Sequence, residues 1–184
     1  MIEGVGAILL ALASAALAAP PDAASAQTIE EAPAGPSAAR ADADFARLSV
    51  LVGEWKNAEM PESSLRIRFA LTAGGTVLQE SWFRGETLHS LTIYHRDGDK
   101  LVVTHYCPQG NQPMLAQNQS NPTLRFTFRS ATDLDATQES YLHDLSFDLT
   151  NLDRPVRSEV YRSSEGDELS TLVMGRVAIQ NSTR

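Results

Sequence analysis

The densest collection of chemically capable side chains is one short stretch, Thr104-His105-Tyr106-Cys107-Pro108-Gln109-Gly110-Asn111-Gln112-Pro113. It brings an imidazole, a phenol, a thiol and several amides to a strand end and a Pro- and Gly-containing turn. Polar side chains at such a junction can line the mouth of a binding pocket. His105, Tyr106, Asn111 and Gln112 are therefore expected to orient a ligand. The plainer alternative is a hydrogen-bonded loop that only fixes a rim. Cys107 lies two residues beyond His105, on the same face of an extended chain and about 7 Å away by strand rise. That is too far for a nucleophile and its base, which need direct hydrogen-bond reach. A buried, inert thiol is expected.

The other histidines are His89, His95 and His143. No pair has helical H-x-x-x-H spacing, so no metal site is expected. With Asp97-Gly98 as a two-residue turn, Arg96 pairs with Asp99, and His95 and His105 fall on opposite faces. A three-residue loop would instead put His95 beside His105 at the ligand site. Glu80 alternates with Leu78 and Trp82 and is expected to point inward. A buried carboxylate needs a partner, which an arginine on a neighbouring strand could supply. No Gly-rich phosphate loop and no Gly-x-Ser-x-Gly elbow is present.

The elements that must position these residues are strands. Leu65, Ile67 and Phe69 alternate with arginines, as do Leu124, Phe126 and Phe128 with polar residues, and Leu145, Phe147 and Leu149 with Asp144, Ser146 and Asp148. Period-two patterning with one apolar face implies an antiparallel sheet lying on a core. Turn signals such as Gly74-Gly75, Asp97-Gly98 and Glu165-Gly166 separate the runs. Strands are expected near 52–58, 65–72, 76–84, 87–96, 100–107, 112–119, 123–130, 142–150, 155–163 and 168–177. A meander of about ten strands closes most economically into a barrel, which removes its edges. The fold class is all-β: an antiparallel up-and-down barrel with a short N-terminal helical plug. A two-sheet sandwich is the alternative.

Leu48, Leu51, Gly53 and Trp55 form an L-x-x-L-x-G-x-W start to this meander. The motif resembles the opening of lipocalin-like and fatty-acid-binding-protein-like (calycin) barrels, near small bacterial exported barrels and, more distantly, nitrobindin. The resemblance spans Phe45 to about Val177. It implies that Trp55 sits on the barrel floor and that an arginine of the last strand, Arg176, packs over it. Physically, Gly53 permits an unusual dihedral there, and Trp55 supplies a large buried surface. Nitrobindin-like chains ligate haem through a histidine near the C-terminal strands. Leu169 to Val177 contains none, so the resemblance carries no haem, and no cofactor is expected.

Residues 4–19 form an apolar run rich in Ala and Leu, too short for a confident membrane span. With Ala24-Ser25-Ala26 following, residues 1–26 read as a secretory signal cleaved after Ala26, although no basic residue precedes the run. Residues 27–44 read as a flexible linker, 45–178 as the barrel and 179–184 as a tail. Periplasmic or secreted localisation follows, with no stable membrane span after cleavage. The net charge of −8 argues against nucleic-acid partners, since the leader carries only two of the acids and no base. One cysteine excludes an intrachain disulfide scaffold.

These readings converge on an exported barrel that binds a small apolar or amphipathic molecule. The inward Leu, Ile and Phe side chains would wall its cavity. The alternatives are an enzyme on the same barrel, with His105 or Glu80 carrying a proton, and a haem barrel.

Overall fold

The computed structural model describes residues 36–178; the expected leader and tail lie outside the described residues. One helix, α1 (Pro36–Ser49), precedes ten strands. These are β1 (Gly53–Asn57), β2 (Leu65–Thr72), β3 (Val77–Arg84), β4 (Thr87–Asp97), β5 (Lys100–Tyr106), β6 (Gln112–Gln119), β7 (Leu124–Thr132), β8 (Tyr141–Asp148), β9 (Val156–Ser163) and β10 (Gly166–Arg176). Each pairs antiparallel with its sequence neighbours, and β10 returns to β1, so the sheet closes into a barrel. That last pairing excludes the sandwich, which would leave the two sheets unjoined.

Helix α1 begins inside the stretch expected to be a linker. Pro36 suits a first helical position, where its missing N–H costs nothing, and five alanines sustain the turns. Ala41, Phe45 and Leu48 recur at helical spacing and are buried. Asp44, also buried, accepts hydrogen bonds from Gln117 Nε2 and Ser120 Oγ, each at 2.7 Å. Among the described residues α1 therefore belongs to the folded unit, bonded to the barrel and not tethered loosely before it.

Beyond α1, Leu51 and Trp55 extend the same apolar surface into the barrel, and the Trp55 indole donates to Leu51 O at 2.7 Å. The Arg176 guanidinium lies 4.2 Å from the centre of the Trp55 ring and donates to Val52 O and Val50 O. Gly53 adopts a φ of 132°, and a Cβ there would meet Arg176 Nη1 at 2.5 Å. Conformation and space both require glycine at this position.

Most of the inward Leu, Ile and Phe side chains do not wall a cavity; Leu65, at the end opposite α1, does. Ile67, Phe69, Leu78, Leu101, Phe126 and Phe147 are fully buried against one another and fill the α1 half of the barrel. Space remains only towards the opposite end.

Two local features decide which histidines can reach that space. The β4–β5 turn is Gly98-Asp99, one residue later than Asp97-Gly98, since Asp97 pairs with Lys100. Gly98 takes a φ of 61° at the first central position, where a primed hairpin turn favours glycine. His95 then pairs with Val102 and His105 with Thr92, so the two rings still lie on opposite faces. In the β3–β4 pair the register shifts between Trp82 and Phe83, leaving His89 as the extra residue. A bulge of this kind re-aims side chains, and His89 reaches the open mouth of the barrel although its parity matches that of outward-facing His95.

Candidate functional site

Strand β9 inverts the usual pattern. Arg157, Glu159 and Tyr161 pair with the inward residues Phe147, Leu145 and Leu142 of β8 and so enter the barrel, while Val156 and Val160 face away. The apolar parity therefore points outward, and the polar parity lines the interior.

Glu80, inward on β3 and 0% exposed, collects two hydrogen-bond donors and one cation. The Trp82 indole N–H and the Tyr94 hydroxyl each donate to its carboxylate. Arg157 Nε lies 2.9 Å from Oε1, close enough for an ion pair but misaligned for a hydrogen bond. Arg157 is 2% exposed and also donates through Nη1 to Glu159. Its guanidinium stands 4.8 Å from the Trp82 ring centre, a cation–π distance. Burial opposes its charge, but the Glu159 and Glu80 carboxylates outweigh burial and hold it protonated. Burial, and then the Glu80 charge, push the Tyr94 phenol well up, so it stays a donor. The partner of Glu80 thus comes from across the barrel, and not from a neighbouring strand, because β2 and β4 offer no inward arginine beside it.

Above this cluster His105 bridges two walls. One ring nitrogen, Nδ1, lies 2.9 Å from Thr92 Oγ1, and the other, Nε2, lies 3.1 Å from Tyr161 Oη. Burial first, then the nearby Arg157 charge, lower its pKa from 6.5 to about 4, so the ring is neutral at physiological pH. Both nitrogens are engaged, which leaves neither free for an axial bond to iron. Among the described residues no three His, Cys, Asp or Glu side chains group as metal ligands.

His105, Tyr161, Arg157, Glu159 and Trp82 line one cavity of about 680 Å³ at the barrel end opposite α1. Loop residues Ser63, Ser64, Pro108 and Gln109 form its rim, with His89 and Arg84 beside them. Cys107 lines it too and is half-buried, not sealed in the core as expected, because it stands where β5 gives way to the loop.

The remaining candidate residues lie elsewhere. Tyr106 follows His105 on a strand and so points outward, 47% exposed. His95 faces out of the barrel and bonds Arg96 O through Nδ1 at 3.0 Å. Asn111 is buried but ties its loop to the segment before β8: Nδ2 donates to Glu139 Oε2 and Ser140 O, at 3.0 and 3.2 Å. Gln112 donates to Gly110 O and accepts from Thr132 Oγ1. The loop backbone and the β7–β8 segment thus take up the donors of these amides, and only Asn111 Oδ1 among them is left buried without a partner. Of the expected ligand set, only His105 lines the cavity, with Glu80 beneath it. Arg157, Glu159 and Tyr161 were missed; the signal was three polar side chains of one parity on a strand whose aliphatic residues, Val156 and Val160, both lie on the other.

A helix-plugged, closed ten-stranded antiparallel barrel, hollow at one end, is consistent with calycin-like architecture. No protein-family model matches the chain, and no curated protein matches it.

Proposed function

We propose that this chain is an exported barrel that binds a small molecule in the cavity opposite α1. The observation that carries the reading is the cavity itself, about 680 Å³, walled by His105, Tyr161 and Glu159 above a solid apolar half. Ligand pockets have this size and this mixture of apolar surface with a few placed polar groups. Of the apolar or amphipathic ligand that the strand pattern suggested, the polar wall favours the amphipathic one. The leader-like residues 1–26 support export to the periplasm or beyond.

A small-molecule screen on the full chain by ligand-observed NMR tests the binding. Hits that lose contact on Tyr161→Trp, which would fill the cavity, support the reading. Hits that bind the variant equally well, or no hits at all, overturn it. Fractionation of cells expressing the full chain tests export, and an uncleaved cytosolic product overturns that part.

His105 favours a second reading, an enzyme that moves a proton on the bound molecule. Its ring is hydrogen-bonded to the Tyr161 phenol, a geometry for relaying a proton, although burial makes the imidazole a weak base. Turnover of a bound ligand that His105→Gln abolishes without loss of affinity would establish this reading.

A further inference from the structure

The buried charges at the inner end of the cavity do not balance. Two carboxylates, Glu80 beneath the cavity and Glu159 in its wall, face one buried guanidinium, Arg157, and neutral His105 adds no positive charge. The two carboxylates are not equivalent. Glu80 is enclosed, accepts hydrogen bonds from Trp82 and Tyr94 and is ion-paired with Arg157. Glu159 takes one, from Arg157 Nη1 to Oε2; among the described residues no hydrogen bond reaches its Oε1. Its side chain keeps 17% exposure and lines the cavity. The free acceptor and the surplus negative charge therefore sit on one residue, at the boundary between the buried cluster and the open space.

On these grounds we infer that the cavity selects a ligand with a cationic nitrogen, an ammonium or amidinium group, which docks on Glu159. The inference rests on the binding reading above and names its ligand class. A cation supplies the missing counter-charge and a donor for Oε1, and charge-assisted hydrogen bonds are the stronger kind. A neutral ligand leaves the surplus charge poorly solvated, which is costly in a buried site. An anion adds to it. Arg157 is a poor anion anchor: it is 2% exposed, Nε and Nη1 are turned to the carboxylates, and its guanidinium lies over Trp82. Arg84, at the exposed rim, is screened by solvent. Leu65, Trp82 and Pro108 add apolar surface to the same cavity, so the cation is expected to carry a compact apolar body.

The test is a titration of the full chain with three probes of one shape: phenethylammonium, phenethyl alcohol and hydrocinnamate. Phenethylammonium is expected to bind at least about tenfold more tightly than either of the others. Glu159→Gln should bring it to the level of the alcohol and leave the alcohol unchanged. Equal affinities, or tightest binding of the carboxylate, overturn the cation inference while leaving a binding barrel. Absence of binding by all three overturns the inference, and only if the broader screen also fails does the binding reading fall with it. The ranking on the unaltered chain needs no variant, so the test holds even where Glu159→Gln folds poorly.

Discussion

Arg157 of β9 and Glu80 of β3 meet inside the barrel, Nε to Oε1 at 2.9 Å, although their strands are not neighbours in the sheet. The pair separates the two halves of the interior. Below it Phe69, Tyr94, Phe126 and Phe147 pack edge-to-face, with ring centres 6.0 to 6.3 Å apart. Above it the cavity begins. A buried ion pair of this kind defines where apolar filling stops.

Arg157→Met should be strongly destabilising, since it strands two carboxylates without their cation. Breaking one side of a buried pair costs about 3–5 kcal/mol. Adding Glu80→Gln to that variant should recover part of the loss, giving a coupling of about 1 kcal/mol or more between sites in contact. Urea denaturation of the two single variants and the double variant measures it. Strictly additive costs would mean that the pair is not coupled.

Gly53→Ala should also cost stability, by about 1–3 kcal/mol for a side chain forced into a glycine-only backbone region. The new methyl would in addition collide with Arg176 Nη1. Arg176→Ala removes the collision but also the stacking on Trp55, worth about 0.5–2 kcal/mol. The Gly53→Ala/Arg176→Ala double variant should therefore lose less than the sum of the singles, by thermal unfolding. A double variant as unstable as that sum would show that the arginine does not press on this site.

The barrel was legible because its signals are local. Leu65-Ile67-Phe69 and Leu145-Phe147 alternate cleanly, and Gly74-Gly75 and Gly166 punctuate them, so all ten strands lie close to their expected limits. Glu80 was legible as inward from its parity with Leu78. Its partner was not, since contact across a barrel leaves no trace in spacing. β9 was misleading because the inner face there is a polar wall, and alternation names only the apolar side. His89 was hidden by a bulge that no neighbouring residue announces. In the 107–113 loop the residue types drew notice for good reason, but Asn111 was turned away from the cavity by Glu139 and Ser140, far along the chain.

Cys107 should react slowly with iodoacetamide at neutral pH. Burial raises its thiol pKa, which thins the reactive thiolate. A rate below that of a free cysteine is expected. Because the thiol lines the cavity, a bound ligand should slow it further, which peptide mass spectrometry can follow. Alkylation at the free-cysteine rate, unchanged by ligand, would place the thiol outside the site.

His105 should make the fold acid-sensitive in a defined window. Its native pKa of about 4 lies below the ordinary 6.5, so on acidification the unfolded chain takes up the proton first. The stabilisation is complete above the ordinary value and is lost as the pH falls from there towards about 4. The whole effect is roughly 3 kcal/mol, at 1.36 kcal/mol for each unit of pKa difference. His105→Gln keeps a polar side chain without the titration, so its stability should vary less over this window than that of the unaltered chain. The difference between the two curves isolates His105 from the other histidines and from carboxylates that titrate lower. Its imidazole resonances should stay those of the neutral form down to about pH 5 on the same grounds. Parallel stability curves for the two proteins would show that the His105–Thr92–Tyr161 bridge does not exclude the proton.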